Sequence, residues 1–305
     1  MNNALELNSF FNSLVTSTFD GDNKSINGMY SIKGLFGFNY GTIKNLTIKG
    51  KIVEAYQVGA LCFQNYGNII NCKNYVNVDT DNNSGGIVAV NRSIGIIRDS
   101  YNYGNVTGKD ITIGGISGFN QGVITYCINK GTIRNTKYSY EGNTGGIAGS
   151  NGGEISYSYN NGNVYSDSNL CGGICGINNK VIKYCFNDGL VSSSYFFVGG
   201  ICGYSYTNEG NISFCYNIGD IKGKNYTGGI IGNLKSGTSV KNCYSKCKIQ
   251  ASNAGGICGE KEEDSTILDC EWYSENVEYG IASLSSNENA VKNPNVYIPN
   301  VTDII

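Results

Sequence analysis

A ten-residue pattern recurs along this chain with constant internal spacing, and it constrains the fold more than any other feature. The pattern reads Ile-x-x-(Cys/Ser)-aromatic-Asn-x-Gly-x-(Val/Ile). Clear copies occupy residues 97–106, 155–164, 182–191 and 212–221, and looser ones begin at residues 43, 69, 124, 240 and 267. Gly-Gly-Ile-x-Gly signals such as residues 172–176 precede the copies. A unit that recurs in this way belongs to an array in which no unit folds alone.

The period of the repeat predicts the architecture. Nine anchor positions follow one another at spacings of 26 to 31 residues: Gly34, Ala60, Gly86, Gly115, Gly146, Gly173, Gly200, Gly229 and Gly256. Length varies at two corners only, and the segments between them are rich in Ile, Val and Tyr, which is typical of short strands. The sequence therefore predicts an all-β fold, a right-handed parallel β-helix (β-solenoid) of about nine three-strand coils.

Coils stacked about 4.8 Å apart place equivalent residues in columns along the solenoid. One column is isoleucine in eight copies and valine at Val240, which indicates an inward position. A second column predicts an asparagine ladder, whose amides bond to one another and to the turn backbone. Its members are Asn74, Asn102, Asn129, Asn160, Asn187 and Asn217. The glycine two residues later is expected to supply a backbone angle that other residues resist.

The twelve cysteines suggest a disulfide framework until their positions are compared. Ten of them fall in two columns: Cys72, Cys127, Cys185, Cys215, Cys243 and Cys270 in one, Cys62, Cys175, Cys202 and Cys258 in the other. Ser, Ala and Val fill these columns elsewhere, so the positions require small side chains. We predict a cysteine ladder of reduced core thiols, with disulfide pairing as the lesser alternative. Reduced thiols indicate a reducing setting or an anaerobic organism.

Three segments are expected along the chain. Residues 1–30 form an N-terminal cap and lead-in, in which the apolar spacing over residues 4–15 predicts a short capping helix. Residues 31–271 form the solenoid. Residues 272–305 form a C-terminal cap or tail, because the repeat is lost from Trp272 onward and both prolines, Pro294 and Pro299, lie there.

The repeat resembles the GLUG-motif repeat of bacterial surface proteins. Residues 34–37 (Gly-Leu-Phe-Gly), the Gly-Ile-x-Gly copies and the lead-in at residues 19–28 carry the resemblance, which covers about residues 19 to 285. It implies a β-solenoid in adhesin-like or substrate-anchoring proteins of the cell surface, in which the repeat has no assigned catalysis. The chain departs from that pattern in its cysteine content, and its first residues lack the features of a secretory signal.

Composition excludes several functional classes. A net charge of −2 gives no field that would attract nucleic acid, and no apolar run is long enough to insert into a membrane. The chain contains no histidine, which excludes Ser-His-Asp triads and histidine-based metal sites. Acidic residues such as Asp188 and Glu209 fall singly at different phases of the repeat, and Glu260, Glu262, Glu263 and Asp264 are expected to form a solvated loop. We predict no catalytic residue, no metal and no cofactor.

An aromatic column is the candidate binding surface. It consists of Tyr101, Tyr159, Phe186, Tyr216 and Tyr244, each next to a predicted inward Cys or Ser, so alternation should point the rings outward. Stacked surface aromatics that shield the backbone are one interpretation. A ladder on which sugar rings stack is the other.

These observations favour a non-enzymatic surface spacer or adhesin module that binds glycan or a host or cell-surface protein through one solenoid face. Two alternatives stay open: a carbohydrate-active enzyme of the parallel β-helix type, and a phage or fibre component. The expected location is the cell surface or the medium of an anaerobic bacterium, with the cytoplasm as the alternative. The chain is expected to be a monomer or part of a longer protein.

Overall fold

The computed structural model describes residues 13–109, 112–138 and 142–303, and these form a parallel β-solenoid of about nine coils. Equivalent strands of successive coils pair in parallel and in register, so that Ile182 lies between Ile155 and Ile212. The predicted fold class is confirmed. Within the described ranges, helix is limited to the 3-10 turn Val301–Asp303. Most of the predicted capping helix lies outside the described residues, and its last two residues are wrong, because Leu14–Val15 pairs as a strand with Phe36–Asn39.

Sheets A and C follow each other around the Gly-Gly-Ile turn. In the described chain, the strands of sheet A are Leu14–Val15, Phe36–Asn39, Cys62–Asn65, Val88–Asn91, Ser117–Asn120, Ala148–Asn151, Cys175–Asn178, Cys202–Ser205, Ile231–Leu234 and Cys258–Lys261. Those of sheet C are Val58–Gly59, Ser84–Gly85, Thr112–Gly114, Asn143–Gly145, Leu170–Gly172, Val198–Gly199, Thr227–Gly228 and Ala254–Gly255.

Sheet B forms the rest of each coil and bends at two corners, so most coils contribute three segments to it. The first two coils contribute the continuous strands Thr18–Ser31 and Thr42–Ala55. The first segments of the later coils are Asn68–Ile70, Ile96–Arg98, Val123–Thr125, Glu154–Ser156, Val181–Lys183, Asn211–Ser213, Ser239–Lys241 and Thr266–Leu268. The second segments are Lys73–Thr80, Tyr101–Asn102, Ile128–Asn129, Tyr159–Asn160, Phe186–Asn187, Tyr216–Asn217, Tyr244–Lys246, Cys270–Tyr273 and Ala290–Lys292. The third are Val106–Gly108, Ile133–Asn135, Val164–Ser166, Val191–Ser193, Ile221–Lys222 and Ile249–Gln250.

Two asparagine ladders run through the interior. In the predicted one, Asn160 Nδ2 donates to Asn187 Oδ1 at 2.8 Å and to the carbonyl of Gly162 at 2.8 Å. The second ladder, which the sequence analysis missed, stands at the end of the sheet A strands: Asn39, Asn65, Asn91, Asn120, Asn151 and Asn178. Each ladder satisfies buried turn carbonyls that no neighbouring strand could reach.

The glycine that follows each asparagine of the predicted ladder serves a different purpose from the one expected. Gly104, Gly131 and Gly162 do not have a positive φ. A Cβ on Gly131 would instead lie 2.0 Å from the carbonyl oxygen of Gly104 in the preceding coil. The left-handed conformation falls at the residue just before each small core residue, for example Tyr157 with φ 46° and Tyr184 with φ 53°. Close approach of coils, and not a backbone angle, therefore requires the glycine.

The cysteine columns lie inside the solenoid. All twelve cysteines are free, and all except Cys247 are buried. Each Sγ of the first column reaches the carbonyl two residues earlier, as Cys127 Sγ does to Thr125 at 3.3 Å. Burial raises the pKa of the Cys62 and Cys127 thiols to about 12, which suppresses the reactive thiolate.

Thiol titration is expected to show this directly. After denaturation without reductant, an aromatic disulfide reagent should find about twelve thiols, the full cysteine content of the chain. In the native protein reaction should be slow and largely confined to Cys247, the least buried of them. Two or fewer thiols in the denatured protein would show that the columns are disulfide-bonded.

The C-terminal end is closed by residues that depart from the repeat. Trp272 lies in register with Asn217 and Ser245, fully buried against Gly256. The strand Ala290–Lys292 then pairs with Cys270–Tyr273. Ile281 and Ala290 join the hydrophobic core of the coils. The indole of Trp272 therefore fills the interior position that asparagine or serine occupies in the preceding coils.

Candidate functional site

The structure brings together four of the five residues of the predicted aromatic column. Tyr159 and Phe186 meet edge to face at 5.7 Å, Phe186 and Tyr216 stack at 6.3 Å, and Tyr216 and Tyr244 stack at 5.2 Å. Tyr101 is separated from Tyr159 by Ile128. Tyr101 therefore stands apart from the other four and packs on Tyr103 instead.

The column is not an open surface. Phe186 is only 3% exposed, so the expectation of a solvent-facing ring is wrong at this position. Residues 295–301, called the strap below, lie over it and roof a cavity of about 490 Å³. On the solenoid side this cavity is lined by Tyr159, Phe186, Asp188, Ile218 and Lys246. Alternation does point these rings away from the core, but the chain's own tail lies against Tyr159 and Phe186.

A polar pair lies at one end of this cavity. The Tyr159 hydroxyl donates to Asp188 Oδ2 at 2.5 Å, and Asn161 Nδ2 donates to Oδ1 of the same carboxylate at 2.7 Å. Burial and the hydrogen bond to Asp188 hold the pKa of Tyr159 above its usual range. The Tyr159 hydroxyl is therefore fixed as a donor to this carboxylate.

A second set of stacked rings, the corner ladder, stands at the left-handed corner. It consists of Tyr126, Tyr157, Tyr184 and Phe214, with centroid separations of 4.9, 4.8 and 5.0 Å and nearly parallel planes. The sequence shows an aromatic residue before the small core residue in these four copies, a signal that was missed. Since the ring faces are turned toward each other, only edges reach solvent, and no sugar ring can stack on the inner two.

A corner groove of about 870 Å³ lies elsewhere, at the turn between sheet A and sheet B. It is lined by Gly152, Asn179, Lys180, Tyr206, Thr207, Asn208, Glu209, Lys235, Ser236 and Glu262. The groove crosses five successive coils, about 19 Å at roughly 4.8 Å per coil. No residue in it belongs to the predicted aromatic column.

Loop length creates this groove. From the Gly-Gly-Ile isoleucine to the next core isoleucine the chain takes eight residues at 147–155 and 174–182, but eleven at 201–212. The turns at Gly152 and Asn179 are therefore low, and the loop at 206–210 stands above them. That loop is held by Gly210 N donating to Thr207 O at 2.7 Å and by Thr207 Oγ1 donating to Asn179 O at 2.5 Å. The difference in loop length could be read from the sequence, but the height of the loop at 206–210 above the surface could not.

The groove combines an open ring with paired charges. Tyr206 is 59% exposed and is backed by Tyr204, with ring centroids 5.9 Å apart. Lys180 pairs with Glu209 at 3.5 Å, and Lys235 pairs with Glu262. The hydrogen bond from Lys235 lowers the pKa of Glu262, and that same bond raises the pKa of Lys235. Both groups of this second pair are therefore charged at neutral pH.

Two acidic predictions change with this geometry. Glu209 was expected to stand alone at its phase of the repeat, and Glu262 was expected in a solvated loop. The structure places both in the corner groove, two coils apart. Because the loops differ in length, the two glutamates fall at different positions of the repeat in sequence, yet both line the same groove.

The described ranges contain no cluster of three or more His, Cys, Asp or Glu side chains that could hold a metal ion. They also contain no helix with both the length and the apolarity needed to cross a bilayer.

Comparison with known proteins gives one structural likeness. No protein-family profile and no curated protein sequence matches the chain, so the GLUG-motif resemblance rests on the residues alone. A solved structure described as that of a proposed immunoglobulin A1 protease from Bacteroides ovatus matches with a TM-score of 0.36 and 19% identity. The match covers 81% of this chain and 68% of the other.

The prediction that the protein is not an enzyme is contradicted by this comparison, because the matched protein is described as a protease. At this identity and TM-score, neither that activity nor any catalytic residue transfers to the present chain. The chain is a parallel β-solenoid with a solvent-open corner groove.

Proposed function

We propose that the protein binds carbohydrate in the corner groove. The observation that carries this proposal is the exposed Tyr206 ring, which stands beside the low turns of Gly152 and Asn179 and is flanked by ion-paired side chains. Binding sites of this kind join an apolar surface to a few convergent polar groups.

The chemistry of sugars suits these residues. A pyranose presents an apolar C–H face that can stack on the Tyr206 ring. This ring is available because, unlike the rings of the corner ladder, it has no aromatic ring of the next coil stacked on it in the described part of the chain. Its hydroxyl groups need donors and acceptors together. Lys180 with Glu209, and Lys235 with Glu262, offer both at fixed positions.

The extent of the groove favours an oligosaccharide over a single sugar. Its lining residues come from five coils, which span about 19 Å. A protein that holds a polysaccharide in this way fits a role in surface attachment, and we place it at the cell surface or outside the cell as part of this proposal.

Replacing Tyr206 by alanine is expected to weaken glycan binding about tenfold or more, since the stacking surface is lost. The ligand is first identified on an array of bacterial and host oligosaccharides, and its affinity is then measured by calorimetry. Tyr30→Ala is the matched control, because Tyr30 is 69% exposed on the first coil and away from the groove. An array without binding, or equal affinity in both variants, would refute the proposal.

A carbohydrate-active enzyme is the second candidate, and it is favoured by one observation. Glu209 and Glu262 line the same groove. Glycoside hydrolysis requires two carboxyl groups that flank the scissile glycosidic bond. The lowered pKa of Glu262 suits a base or nucleophile and not the acid. The test is whether the parent protein cleaves the glycan selected on the array. Cleavage by the parent that is lost in both Glu209→Gln and Glu262→Gln would support this candidate over binding alone.

A further inference from the structure

The strap crosses the solenoid in an unusual direction. The cavity beneath it is lined by residues of four successive coils, from Tyr159 through Asp188 and Ile218 to Lys246. That distance is about 14 Å along the axis, and seven extended residues reach roughly 23 Å at most. The strap therefore runs along the axis, across the strands, in a groove formed by the aromatic column on one side and by Asp188, Ile218 and Lys246 on the other.

Backbone pairing among the described residues ends before residue 297 of the strap. The strand Ala290–Lys292 still pairs with the coil before it, and Asn293 N donates to Trp272 O at 2.8 Å. Beyond that point, no backbone hydrogen bond joins residues 297–303 to the coils in the part of the chain described here. Val296 is buried, whereas Tyr297 is largely exposed.

The chemistry of strap and groove matches a known recognition mode. The strap reads Asn-Val-Tyr-Ile-Pro-Asn-Val, an uncharged segment whose residues 296–300 lie outside any helix, strand or turn and which contains one of the two prolines of the chain. Extended proline-containing segments dock in grooves lined by aromatic rings, because their backbone is already ordered before binding. Here Tyr159 and Phe186 line the groove, with Ile218 opposite.

We propose that this groove is a docking site for an extended peptide of a partner protein, one that carries an aliphatic–proline pair. The strap is the intramolecular occupant of the site. A partner peptide displaces it by making the same side-chain contacts, and no strand of the solenoid has to open. This site is separate from the corner groove and does not depend on the carbohydrate proposal.

A tethered strap competes with any free peptide. Its effective concentration is on the order of millimolar, so the parent chain should bind a free peptide weakly. Weakening the strap should expose the groove. Val296→Asp does this, since it places a charge at the most buried strap position while leaving the coils unchanged.

The test uses a fluorescent peptide of residues 293–303 and the full-length chain. We expect Val296→Asp to bind this peptide about tenfold or more tightly than the parent, by fluorescence anisotropy. Adding Ile218→Asp, a half-exposed groove residue, should remove that binding without changing the melting temperature. The same peptide with its own Val296→Asp change is the matched control and should not bind. If Val296→Asp lowers the melting temperature of the protein, Ile298→Asp is used as the strap variant in its place.

Three results would overturn the proposal. One is equally weak peptide binding by the parent and both strap variants. Another is binding that survives Ile218→Asp, which would place the peptide elsewhere. The third is a concentration-dependent dimer of the parent that disappears in Val296→Asp, which would make the strap of a second copy the occupant instead of a partner peptide.

Discussion

Replacing Ile182 by aspartate is expected to unfold the solenoid around its coil and to lower the free energy of unfolding by about 3–5 kcal/mol. Ile182 has no exposed surface and lies between Ile155 and Ile212 in the isoleucine column. The core there consists of aliphatic side chains and cysteine thiols, so the new carboxylate meets no cation. Burying an unpaired charge has a larger effect than any cavity this position could form.

Two measurements check this expectation. Thermal and denaturant unfolding give the loss of stability, with Ile182→Val as the matched control at about 0.5–1.5 kcal/mol. Hydrogen exchange should show loss of protection in the coils next to residue 182 before the distant ones, because each coil contacts only its neighbours. An unchanged melting temperature for Ile182→Asp would show that the column does not face the core.

Gly173→Ala is expected to destabilise the protein by about 3 kcal/mol, although it adds a single methyl group. A Cβ there would lie 2.1 Å from the carbonyl oxygen of Gly200 and 2.4 Å from the amide carbon of Asn187. Neither neighbour can move freely. The carbonyl belongs to the next coil, and the Asn187 amide is hydrogen-bonded to Asn217 and to Gly189.

Gly152→Ala is the matched control for this prediction. The nearest atom to a Cβ at Gly152 is 3.7 Å away, so the change should alter stability by no more than about 0.5 kcal/mol. Denaturant unfolding of the two variants measures the difference. Equal effects of the two substitutions would mean that the Gly-Gly turn does not pack against the asparagine ladder as the structure has it.

Much of the fold could be predicted from the sequence because every coil lies on a near-copy of itself. In-register pairing turns each repeated position into a column, so the uniform isoleucines identify the core and the exchange of Cys127 for Ser158 or Ser100 identifies a small inward site. The asparagine ladder followed in the same way. In such an array, the pattern within one repeat also specifies how neighbouring coils align.

Positions outside the repeat could not be predicted in that way. The burial of Phe186 depends on where the strap lies, and the strap is joined to its groove only through contacts distant in sequence. The placement of Glu209 and Glu262 in one groove depends on loop lengths that differ between coils. The predictions for the core therefore succeeded, whereas the aromatic column as a binding site stays a prediction.

The sequence by itself determined the solenoid, its register and its inward columns, because stacking repeats local patterns along one axis. Only the tertiary structure decided which surfaces stay open. The strap lies against Tyr159 and Phe186 of the aromatic column, and the long loop at Tyr206 builds a groove beside the low turns of Gly152 and Asn179. Both results arise from segments that break the repeat, whose positions depend on packing against distant coils and not on pairing with an equivalent neighbour.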